Sequence, residues 1–292
     1  MTAAITPHDA IARALAVAAQ AMAPRYAMRA LRWSAWALAL AALVAMARDI
    51  GFTGDRLLAG IARAGHLITL MWPPSSGGQM DVIFKALGQT LGMALLGTFL
   101  VITFAAPLGM LGARTIVGQP VIHFVLRRIY DVSRTIPSLV WAMILVAAFG
   151  LGPRVGVTAM LLAETPHLAK LFAETMENRK QGVIESLQAA GAGRLQVLRY
   201  GLMPQVLPLM TGKALLLFES NIRASAALGL VGAGGIGVIL DTKIQLLQLD
   251  EVAFILGIFI ILVMSIDLLS QTLRRRLINA KSHSLIGVDV DA

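Results

Sequence analysis

Three constellations in this sequence could do chemistry. The first is "GLVGAGGIGVIL" at 229–240, where Gly232, Gly234 and Gly237 have the G-x-G-x-x-G spacing of a dinucleotide cradle. A Rossmann site also needs a preceding strand, a following helix and an acidic residue about 20 positions on, all within a βαβ unit. Asp250 and Glu251 stand at a tolerable distance, but no βαβ pattern recurs and both flanks are long apolar runs. Nucleotide binding is therefore set aside. The glycines are expected either to let irregular backbone pack between helices, which membranes tolerate only in protein or along a cavity, or to turn amides toward an oxyanion.

The second constellation is a scatter of charges in apolar surroundings: Glu164, His167 and Lys170, then Glu219 and Arg223, then Asp267. Ionisable groups at membrane depth are expensive and face the bundle interior or a cavity. Glu219 and Arg223 are four apart and share a helical face, so they are expected to pair. Arg223 could line the path of an anion, with Glu219 holding it, or the two could be a structural ion pair. His167 has Glu164 as its partner candidate, and Asp267 is expected to reach Arg274. No Cys is present, and no His cluster suggests a metal.

The third is the polar stretch 174–208, "ETMENRKQGVIESLQAAGAGRLQVLRYGLMPQVLP". It reads as helix to Ala190, a small-residue bend at Gly191 and Gly193, and helix again before Pro204. Such an elbow can stand off a membrane surface, where small residues allow a partner's close approach.

The elements that must position these groups are membrane helices. Of 292 residues, 57% are hydrophobic and 14% charged, with mean hydropathy +0.76, against about 45–50% and 25% in soluble chains. Apolar runs long enough to cross a bilayer fall at about 31–48, 86–111, 136–151, 155–173, 202–220 and 252–272. Six crossings with both ends inside put the basic segments 112–135, 174–200 and 274–281 on the cytoplasmic side, as the excess of Lys and Arg there requires. The net charge of +9 is read the same way, so nucleic acid is not an expected partner. Residues 1–30 form an N-terminal cytoplasmic segment that lacks the charged start of a secretory signal. Residues 31–85 hold the first span and an extracytoplasmic connection, 86–277 the core, and 278–292 a cytoplasmic tail.

The elbow resembles the coupling loop of permease subunits in ABC importers. Glu185, Gly191, Met203 and Pro204 fall at the family's spacing, although Ser186 and Leu187 stand for its usual alanines and Met203 for its Leu. The stretches "RTIPSLVWAMILVAAFGLGP", "HLAKLFAETMEN", "LLFESNIRASAALGLVGAGGIG" and "IDLLSQTLRRRL" are similar to the branch importing phosphonate, phosphite or phosphate.

The resemblance implies an all-α polytopic protein with the type I ABC importer transmembrane fold, in the bacterial inner membrane. It implies ATPase coupling through Glu185, Ala189, Ala190, Gly191, Gly193, Arg194 and Pro204. A substrate path past Glu219, Asn221, Arg223, Gly232, Gly234 and Gly235 is expected. Implied partners are an ATP-binding subunit, a periplasmic substrate-binding protein, a second permease (an identical copy or a paralogue) and lipid. No cofactor is expected. No G-x-x-x-x-G-K-[ST] is present, so ATP must be split elsewhere and the chain is not itself an enzyme. The competing reading is a secondary transporter, which would need inverted repeats that are not evident.

Overall fold

The computed structural model describes residues 25–114, 116, 119–179 and 181–285, and among them every regular element is helical. The N-terminal segment 1–24 and the tail beyond 285 lie outside the described residues. The chain divides into two units, to Thr69 and from Leu70. In the first, α1 (Arg25–Asp49) is apolar over Arg29–Asp49, a stretch in which no residue is buried. It is followed by α2 (Gly54–Leu70), which also buries no residue.

The second unit is a bundle of α3 (Met80–Gly112), α4 (Pro120–Ser133), α5 (Ser138–Phe149), α6 (Pro153–Glu177), α9 (Met203–Gly229), α10 (Ile236–Gln245) and α11 (Leu249–Leu285). Between α6 and α9 stand α7 (Gln181–Ala189), the short α8 (Arg194–Gln196) and a π-helical turn, Val197–Leu202. Among the described residues, four helices are long and apolar enough to cross a bilayer alone: Arg29–Asp49, Met80–Gly112, Val197–Gly229 and Leu249–Arg275.

The third expected span differs from its sequence reading. α5 has only 12 residues, about 18 Å at 1.5 Å per residue, which does not cross. With α4 it forms a pair of helices, bent by 77°, that has the length and apolar character of a span only when the two are taken together. The bend falls at Arg134–Pro137, where Pro137 biases its predecessor away from helix. Much of the basic segment 112–135 is thus helical, as α4, and packs against the ends of α3 and α6. The fourth expected span is α6, with 25 residues. It is long enough to cross, but its charged residues keep it out of the apolar class.

Small residues hold α3 against α6. A Cβ on Gly109 would stand 2.7 Å from Phe172 Cβ and 3.0 Å from the Ala169 carbonyl, and one on Gly97 would meet Met160 Sδ at 3.0 Å. Ala94, Ala105, Ala159, Ala169 and Ala173 are completely buried nearby. Lipid tails are as apolar as Leu, so helices associate in a membrane by close van der Waals approach, which small residues permit. α4 docks where α3 and α6 end. His123 Nδ1 lies 2.8 Å from the Gly112 carbonyl, the Tyr130 hydroxyl donates to the Leu108 carbonyl at 2.7 Å, and Arg127 donates to Glu177 at 2.7 Å.

Candidate functional site

The elbow is built by a helix stop. At the end of α7 the Ala192 amide donates to the Leu187 carbonyl and the Gly191 amide to Gln188, both at 3.0 Å, and Gly191 sits at φ +83°. This is the Schellman arrangement, in which a left-handed residue lets the chain satisfy the last helical carbonyls. Only a residue without Cβ does so freely, which is why a glycine stands six positions after Glu185. The Gly193 amide donates to the Gln196 side chain at 2.8 Å, starting α8. The return strut is close: a Cβ on Gly201 would come 2.9 Å from Leu187 Cδ1. Ile184, Gly201 and Leu202 are buried beneath.

Glu185, Ala189, Ala190, Gly191 and Gly193 are all exposed on this elbow. Leu195 and Tyr200 are 77% and 65% exposed beside them. Leu187, Ala190, Gly191, Ala192, Gln196 and Tyr200 line a shallow groove of about 400 Å³. Arg194 opens α8 and Pro204 lies in the first turn of α9. Just before the elbow, burial draws the Arg179 guanidinium below its ordinary value, and it donates to the Met176 carbonyl at 2.8 Å.

The glycine stretch is a plug. α9 ends at Gly229, the Gly232 amide returns to the Gly229 carbonyl at 2.9 Å, and Gly152 donates to Gly232 at 3.0 Å. Gly232, Gly234 and Gly235 all have positive φ. The Ile236 amide donates to Thr90 Oγ1 on α3 at 2.8 Å, and Gly235 to Gln89 at 3.4 Å. Ala233 is fully buried among Ala142, Ala159, Met160 and Leu228. No strand stands among the described residues, so the βαβ frame of a nucleotide cradle is missing.

Glu219 and Arg223 pair as expected, at 3.2 Å. Asp267 does not meet its expected partner Arg274. It lies 3.5 Å from Arg223, because α9 continues as helix past residue 220 and carries Arg223 along the face that α11 covers. Asn221, between the two paired residues, turns the other way. It is 1% exposed and donates to Thr98 on α3 at 2.9 Å. Lys170 is bonded to Asp131 of α4, a partner 39 positions away that no helical spacing points to.

Apolar helices of bilayer length, locked through small residues and joined by one exposed polar elbow, define a polytopic membrane protein. The chain belongs to the family of binding-protein-dependent transport system inner membrane components, whose pattern matches residues 105–279. It is similar to the phosphite transport system permease protein PtxC of Stutzerimonas stutzeri, 35% identical over 219 residues covering 75% of this chain and 79% of that protein. It is 34% identical over 212 residues to the phosphate-import permease protein PhnE of Mycolicibacterium smegmatis, spanning 73% of this chain but only 40% of that longer relative. In fold it resembles a chain of the inward-facing MetNI methionine ABC transporter, with TM-score 0.61, 23% identity, and coverage of 70% and 99% of the two chains. The type I ABC importer fold expected from the sequence is the one observed.

Proposed function

We propose that this chain is the inner-membrane permease subunit of an ATP-driven importer for phosphonate, phosphite or phosphate. A soluble binding protein delivers the anion to the outer face of two permease subunits, and a separate ATP-binding subunit docks on the elbow. Its closure on ATP moves α6 and α9, which flank the elbow directly, so the path opens alternately to either side. Such a shift requires that the ATPase contact the two states differently. Both termini and the elbow face the cytoplasm in this reading. Glu219 and Arg223 line the path, Asn221 ties its wall to α3, and Gly232, Gly234 and Gly235 shape its outer end.

The observation that carries the coupling reading is the Gly191 elbow: a rigidly capped, exposed turn with Glu185 and small residues on its surface. The names of the relatives support the anion. The test is to co-express the chain with an ATP-binding subunit and a binding protein, then crosslink from a cysteine placed at Glu185. Capture of the ATPase, with methylphosphonate uptake into liposomes only when ATP is supplied, is the expected result. Uptake that runs on a proton or sodium gradient without ATP would replace this reading with a secondary transporter.

A further inference from the structure

The break between α4 and α5 opens onto a cavity of about 460 Å³ walled by Arg134, Ser138, Glu164, His167 and Ser220. Its volume falls in the range of about 300–1,000 Å³ typical of small-ligand sites. Glu164 is the twelfth of the 25 residues of α6, so the cavity lies about halfway across the span, some 17–20 Å from either end. Non-helical backbone at that depth is tolerated where it lines a cavity. A half-helix whose first amides face a cavity is a recurrent way of meeting an anion inside a membrane.

The lining has the chemistry to match. Among the described residues the Arg134 guanidinium makes no hydrogen bond, only a 3.7 Å approach to Asp131, a carboxylate already bonded to Lys170. A planar guanidinium left in this way suits two oxygens of an oxyanion. The Ser138 and Ser220 hydroxyls and the His167 ring make no hydrogen bond within the described residues either, and α5 begins at Ser138 with no side-chain cap. The Val140 and Trp141 amides return to the Pro137 carbonyl, which leaves the Ser138 and Leu139 amides and the positive dipole end available to negative charge.

Glu164 is the discordant group. A carboxylate repels a fully ionised anion but accepts a hydrogen bond from one that keeps a proton. Phosphorus oxyanions hold their second proton to near neutral pH, about 6 for a phosphate monoester, whereas sulfate holds none there.

We propose that this cavity is the midway binding site for the transported anion, and that Glu164 admits protonated phosphorus oxyanions while excluding sulfate. The inference rests on the import reading above and adds where the anion rests and what distinguishes it. Arg134 holds two oxygens, Ser138, Ser220 and His167 donate to the remainder, and Glu164 accepts the P–OH hydrogen. The break after α4, together with α5, α6 and α9, borders the site, and α6 and α9 lead directly to the elbow. Movement of the elbow therefore changes the spacing of the donors and releases the anion.

The test uses the full complex of permease and ATP-binding subunit in detergent, without the binding protein, and reads phosphorus NMR line broadening of methylphosphonate. The native complex is expected to broaden the line, with sulfate failing to compete. Arg134→Gln should weaken binding about tenfold or more, Arg134→Lys less, and Glu164→Gln should let sulfate compete. Equal broadening by native, Arg134→Gln and His167→Gln complexes, or none by the native complex, overturns the site. Should Arg134→Gln fail to assemble, His167→Gln and Ser220→Ala decide, and unchanged binding by both overturns it. ATP-driven uptake by the same complexes, reconstituted into liposomes with the binding protein added, separates the two ideas. Uptake without site-dependent binding sinks the site alone, and absent ATP dependence with site-dependent binding sinks the import reading.

Discussion

Two of the glycine bends, the elbow and the plug, are opposites. At the elbow a Cβ on Gly191 would meet nothing within 4 Å; only its φ of +83° demands glycine. At the plug a steric demand is added to the positive φ of Gly232, Gly234 and Gly235. A Cβ on Gly237 would stand 2.0 Å from the Ala226 carbonyl and 2.7 Å from Gly229 Cα, and one on Gly229 would stand 2.6 Å from the Gly234 carbonyl. The first bend keeps its surface open, which suits a handle gripped by another protein. The second consumes its surface in backbone-to-backbone contact, which suits a fixed joint between helices.

The contrast can be broken at three places. Gly237→Ala carries the largest expected effect, because backbone cannot retreat as a side-chain tip can. We expect a loss of at least about 3 kcal/mol, seen as a collapsed yield of monodisperse protein in detergent. Normal yield and melting would show that the joint yields. Thr90→Val comes next. It leaves the buried Ile236 amide without its 2.8 Å acceptor, at a cost of about 1–3 kcal/mol, read as a lower Tm with the fold retained. Gly191→Ala is the mildest, at about 1–2 kcal/mol of left-handed strain without any clash. Gly191→Asn should recover most of it, since Asn tolerates that conformation. A Gly191→Ala complex melting as low as Gly237→Ala would erase the distinction between the bends.

The elbow was legible because its cause is local. Helix propensity, a bend of small residues and a glycine at the stop occupy one short segment, and the Schellman bonds reach no further than five residues. The glycine stretch was legible by exclusion, since apolar flanks leave no room for a βαβ unit. The break at Arg134–Pro137 has a local signal in Pro137, which disfavours helix at the residue before it, and the sequence reading, which begins a span at 136, does not use it. Proximity in sequence points Asp267 toward Arg274, yet its partner Arg223 stands on another helix.

By itself, the sequence determined that the chain lives in a membrane, that its elements are helices, and where its exposed elbow turns. Hydropathy and the φ limits of individual residues act on neighbours along the chain, so they can be read without a partner. The tertiary structure alone decided that Asn221 meets Thr98 across 123 positions, and that Arg134 and Ser220 face one cavity with Glu164 and His167. Those meetings depend on how whole helices register against one another through small residues such as Gly97 and Gly109. That register is a property of paired surfaces, and no single stretch of sequence contains it.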